Sequence, residues 1–168
     1  MKRRRASSDD LELYLLYRLR LRDLMNVNAL LLQLDAVLAG FPPSDRRDCQ
    51  GTLQTVYLGF LYSMVDTHRN ALKVWPLWRR LFPQKTARIN DVEAVMGPVM
   101  PQLEAFRHSV AFHVPSDLSK VLKAGTSLSP ALGVAVVRFL ELAQELIEEE
   151  GSVAGLRPYL KANGVRCT

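Results

Sequence analysis

Residues 106–115 read FRHSVAFHVP. Arg107, His108 and His113 stand among Phe106, Val110, Ala111, Phe112 and Val114, so three basic side chains share a stretch with the composition of a packed helix. An arginine is a permanent, planar donor that matches the oxygens of a phosphate. A histidine moves a proton near neutral pH. Together they are a minimal kit for cleaving RNA without metal. The histidine removes or supplies the proton, and the guanidinium holds the negative oxygens of the transition state. Apolar neighbours exclude water and strengthen both effects.

The spacing restricts how such a pair can work. Arg107 and His113 are six residues apart, which in a straight α-helix is about 120° of rotation and about 9 Å of rise. They do not share one face. Either the helix breaks near Pro115, or two chains bring their segments together across a two-fold axis, and the second solution is the easier one. Pro115 turns Val114 away from helical backbone, which ends the helix near His113. A histidine there is favoured in its charged form by the helix dipole.

The string R107-H-S-V-A-F-H113 resembles the signature of the HEPN superfamily: arginine, a polar residue, four more residues, then histidine. It is closest to the version in bacterial defence and toxin–antitoxin proteins. The resemblance spans seven residues as a motif and most of the chain as a fold. It implies a compact helical bundle that dimerises so that two motifs face one groove. It also implies a metal-independent endoribonuclease in which the 2′-hydroxyl attacks the adjacent phosphate and leaves a 2′,3′-cyclic phosphate. Arg107 would then stabilise the phosphate, His113 would act as acid or base, and His108 would orient the site or contact RNA. No cofactor or metal is implied. An inhibitory antitoxin protein is an expected partner, because an unrestrained ribonuclease harms its host. The tyrosine that follows the histidine in some HEPN toxins is replaced here by Val114-Pro115, so that subtype is not expected.

Two weaker constellations accompany the motif. In DTHRN, residues 66–70, Asp66 and Asn70 lie one turn apart. They could orient Arg107 or His113. The competing reading is a local contact of Asp66 with Arg69 or Asn70, worth a few tenths of a kcal/mol. Further on, Trp75 and Trp78 are followed by Arg79 and Arg80, and with Arg69 these form an aromatic and basic group that could stack on and grip single-stranded RNA. Against that stands a bundle end with two core tryptophans and snorkelling arginines.

The elements that must position these groups read as helices. Ser8 or Asp9 can cap a first helix whose stripe is Leu13, Tyr17, Leu21, Leu24, Leu31, Leu34 and Leu38, with Gly40 and Pro42-Pro43 as the stop. Arg18 and Arg22 lie off that stripe. Ser44 caps a second long helix that runs to Trp75 and that Pro76 kinks or ends. A third is predicted from Asn90, with Glu93 completing a capping box, interrupted at Pro98 and Pro101. Ser116 can cap a short helix. Ser129-Pro130 opens a helix whose first half is apolar nearly all round and whose second half carries Glu141, Glu145, Glu148, Glu149 and Glu150. These carboxylates oppose the helix dipole unless they meet basic residues of another helix. A turn or two of helix at 153–162 closes the chain. The expectation is an all-α antiparallel bundle of four to six helices, one domain over 9–168 behind a basic, disordered start at 1–8.

Composition bounds the rest. The chain has 168 residues, 48% of them apolar, and a net charge of +5, which favours an anionic partner. Two cysteines without a C-x-x-C pair argue against zinc or a redox dithiol and for a reducing cytoplasm. The basic start lacks the apolar run of a signal peptide, and no span predicts a membrane helix. No P-loop, dinucleotide loop, nucleophile elbow or H-E-x-x-H occurs. A non-catalytic helical binding or scaffold protein is the alternative, with Arg107 and His108 at the surface or paired with the glutamates at 141–150.

Overall fold

The computed structural model describes residues 6–65, 74–106 and 129–167. The described backbone is all-α, with helices α1 (Ser8–Val37), α2 (Pro43–Val65), α3 (Val74–Leu81), α4 (Thr86–Met96), α5 (Met100–Phe106), α6 (Pro130–Glu148) and α7 (Leu156–Ala162). Single 3₁₀ turns join α3 to α4, α4 to α5 and α6 to α7. The turn at Gly97–Val99 falls where Pro98 denies the helix a donor, as the sequence predicts.

Helix starts differ in detail from the sequence expectation. Ser7 caps α1, its Oγ accepting the N–H of Asp10 at 3.1 Å, and Asp9 and Asp10 then sit on the positive end of the dipole. Trp75 and Pro76 lie within α3, which continues past Pro76 to Leu81, and the stretch that links α2 to α3 lies outside the described residues. Asn90 is in the middle of α4, which starts at Thr86, so no capping box forms there. Its Oδ1 accepts from Arg79 Nε at 2.9 Å. Ser129 precedes α6 as predicted, but its hydroxyl and its N–H both donate to Gln102 Oε1, at 3.0 and 3.1 Å, and so tie α6 to α5.

Helices α1 and α2 pack as a hairpin; α1 also meets α3 and α7, α2 meets α5, and α4 meets both α3 and α6. Arg46 closes the hairpin turn by donating to the carbonyls of Ala39 and Phe41 at 2.8 and 2.9 Å. The core centres on Trp78, which is fully buried. Tyr17 and Trp75 meet it edge-on at 5.3 Å between ring centroids, and Phe139 stacks on it at 5.4 Å. Each such pair adds about 0.5–1.5 kcal/mol beyond the area buried. Both tryptophans are therefore core residues.

The stripe of α1 holds through Tyr17, Leu21, Leu24 and Leu38, with Tyr14 fully buried in place of the partly buried Leu13; the side chains of Leu31 and Leu34 lie outside the described set. In α6 the stripe Leu132, Ala135, Phe139, Leu142 and Leu146 turns inward at three- and four-residue spacing. Val134 and Val137 are more than half exposed, so the first half of α6 is buried on one face and not all round as its composition suggested. The loop half of the α1–α2 hairpin leaves Met25, Leu30, Leu32 and Phe41 exposed.

Candidate functional site

The sequence-predicted motif and its supporters, Arg107, His108, His113, Asp66, Arg69 and Asn70, lie outside the described residues. The chain enters these stretches from the ends of α5, at Phe106, and α2, at Val65, and those two helices pack on each other.

Arg79 and Arg80 are described, and both are held in ion pairs within the chain. Arg79 pairs with Glu93 of α4 in addition to Asn90. Arg80 reaches α1, its Nε and Nη2 both donating to Asp10 Oδ1 at 2.9 and 2.7 Å. The rest of the basic stretch behaves in the same way. Lys85 lies 3.4 Å from Glu145 and 3.8 Å from Glu149, and Arg88 lies 3.2 Å from Glu145 and 3.7 Å from Glu141. The glutamate-rich half of α6 thus meets basic residues of the α3–α4 segment, which answers the question its unfavourable position on the helix dipole raised.

The strongest concentration of polar chemistry among the described residues was not singled out from the sequence. It surrounds Glu150, which is fully buried. Glu150 Oε1 accepts from Tyr14 Oη at 3.1 Å and lies 2.9 Å from Arg18 Nε. Burial raises the Glu150 carboxyl above its ordinary range; Arg18, the Tyr14 hydrogen bond and Arg157 oppose that rise. Burial likewise pushes the Tyr14 and Tyr17 hydroxyls up, so both stay neutral, and Tyr14 donates to Glu150. Gly151 leaves room for the Arg157 guanidinium, whose Cζ lies 3.1 Å from where a Cβ would stand. The one cue in the sequence was the position of Arg18 off the apolar stripe of α1, together with a glutamate run needing partners.

Arg18 joins this cluster to a groove of about 660 Å³ between α1, α6 and the C-terminal segment. Leu21, Met25, Leu140, Ala143, Ile147 and Val165 give it apolar walls, and Arg18, Arg22 and Arg166 bring three guanidinium groups to it. None of the described lining residues is acidic. The backbone after α7 builds one wall. Gly164 adopts a φ of +76°, its N–H donates to Lys161 O at 3.1 Å, and the N–H of Val165 donates to Leu160 O at 3.0 Å. This reversal, which needs a residue free to enter the left-handed region, delivers Val165 and Arg166 to the groove. Arg18 Nη2 then donates to Arg166 O at 3.3 Å and fastens the segment to α1.

Among the described residues no group of His, Cys, Asp or Glu is arranged to hold a metal ion, and no helix is long and apolar enough to cross a membrane. Cys49 and Cys167 are both free. No protein-family model, curated protein or solved structure matches the chain.

Proposed function

We propose that the protein is a metal-independent endoribonuclease of HEPN type, acting in toxin–antitoxin or anti-phage defence in the cytoplasm. The observation that carries this reading is the R107-H-S-V-A-F-H113 string, which follows Phe106 in the sequence of a chain whose described backbone is all-α. Arg107 stabilises the charge of the reacting phosphate, His113 transfers the proton, and His108 orients the site. Asp66 and Asn70 support it from beyond the end of α2, with Arg69, Arg79 and Arg80 as RNA contacts. The active form is a homodimer in which two motifs share one groove, and a dedicated antitoxin protein holds it in check. The exposed Leu30, Leu32 and Phe41 of the α1–α2 hairpin supply apolar surface of the kind a dimer covers.

The test is incubation of mixed single-stranded RNA with the protein in EDTA, beside a His113→Ala variant. The expected result is cleavage by the parent alone, at least about a hundredfold faster than the variant, the usual span of general acid–base catalysis. Its products should end in 2′,3′-cyclic phosphate. Equal cleavage by both proteins, or none, contradicts the reading.

A second reading, a non-catalytic helical binding or scaffold protein, draws on the ion pairs. Arg79, Arg80, Lys85 and Arg88 already face carboxylates of their own chain, which reduces the basic surface offered to RNA.

A further inference from the structure

The groove between α1, α6 and the segment after α7 stands apart from the ribonuclease reading, since none of its described lining belongs to the motif or its supporters. We infer that it is a binding site for a small amphiphilic anion: one carboxylate, sulfonate or phosphate head on an apolar ring or chain.

Size comes first. A volume of about 660 Å³ lies within the roughly 300–1,000 Å³ typical of small-molecule sites. The walls come next. Leu21 of α1 and Leu140 and Ile147 of α6 offer an apolar body two helix faces; Arg18 ties α1 to Glu150 in the turn after α6, and Tyr17 and Phe139 both pack on Trp78.

Charge decides the head group. Three guanidinium groups line the groove, and their own partners differ. Arg18 is pinned from behind by Glu150, with its side chain only 12% exposed, so it is oriented before any ligand arrives. Arg22 is 62% exposed and pairs with the neighbouring Asp23, at 3.2 Å from Nη2, a surface pair of little strength. Arg166 is exposed and is carried to the groove by the Gly164 turn. Guanidinium is weakly hydrated and binds carboxylate or phosphate through two parallel hydrogen bonds. With no acidic residue in the described lining, an anionic head meets net positive charge there, from which a neutral or cationic amphiphile gains nothing.

The test uses a matched pair of fluorescent probes. 8-Anilinonaphthalene-1-sulfonate carries an anionic head on the ring system, and N-phenyl-1-naphthylamine has the same rings without the charge. The sulfonate should bind at a single saturable site at least tenfold more tightly than the neutral probe, and dodecanoate should displace it. Arg22→Ala/Arg166→Ala should weaken the sulfonate at least tenfold and leave the neutral probe unchanged. Both side chains are exposed, so the variant should keep the parent's circular dichroism. Met25→Glu, which sets a carboxylate in the groove from another exposed position, should weaken the sulfonate more than the neutral probe. Equal affinity for the two probes would mean an apolar trap and would overturn the inference. Sulfonate binding unchanged in both variants would place the probe elsewhere, with the same consequence. Displacement by an RNA oligonucleotide but not by dodecanoate would assign the groove to nucleic acid and overturn it as well.

Discussion

Glu150 is the acidic side chain that the described residues bury completely, and its surroundings explain how the fold tolerates it. Tyr14 and Arg18 meet the same carboxylate oxygen, and Arg157 adds positive charge nearby. Removing one member of such a group strands the others. Glu150→Ala takes the carboxylate from the largely buried Arg18 guanidinium and the Tyr14 hydroxyl and should cost about 3 kcal/mol in a urea unfolding experiment. Glu150→Gln should cost less, because an amide oxygen still accepts from Tyr14. The pH dependence separates charge from shape. Burial raises the folded-state pKa above the unfolded value, so the folded protein holds this proton more tightly. That contribution is fully present below the unfolded value and is lost as pH rises through the raised one. Glutamine does not titrate. The stability difference between the two proteins should therefore drift in favour of the Glu150→Gln variant as pH climbs through that window, then level off. A difference that does not change with pH would contradict the assignment.

At the scale of elements, the groove depends on how α7 ends. Gly164 has open space where a Cβ would be, so its requirement is conformational alone. Gly164→Ala should destabilise the protein by about 1 kcal/mol, the cost of a left-handed φ for an ordinary residue. It should also weaken sulfonate binding, because Val165 and Arg166 would shift. Asparagine, which tolerates that region, should recover most of both losses; equal damage from either substitution would locate the effect elsewhere. The helices themselves were largely legible in the sequence. Leucine and tyrosine at three- and four-residue spacing marked α1, and Ser129-Pro130 marked the start of α6. Starts set by tertiary contact were not legible. Ser129 is followed by a helix, yet its hydroxyl is held by Gln102, twenty-seven residues away. Asn90 has the spacing of a cap but serves Arg79 from mid-helix. Local patterns cannot register partners that only packing supplies.

Across the whole molecule, charge is where the sequence and the fold differ most. A run from Arg79 to Arg88 without a carboxylate looks like a surface for an anionic partner. Folded, it is matched by Asp10, Glu93, Glu141, Glu145 and Glu149, drawn from α1, α4, α6 and the turn that follows α6. The Glu150 cluster left only a faint cue for the same reason, Tyr14 and Arg18 lying more than a hundred residues from the glutamate they meet. The resemblance at 107–113 rests on residue types alone, in a stretch outside the described residues, and the proposed chemistry makes a demand on the substrate that is independent of the protein's surface charge. Cleavage through a cyclic phosphate requires the 2′-hydroxyl of the nucleotide at the scissile bond. The most direct measurement therefore compares an RNA oligonucleotide that the protein cuts with the same oligonucleotide carrying one 2′-deoxy nucleotide at that position, in EDTA. The account predicts that the deoxy site resists while other sites are cut as before. Cleavage at the deoxy site at an undiminished rate would contradict it.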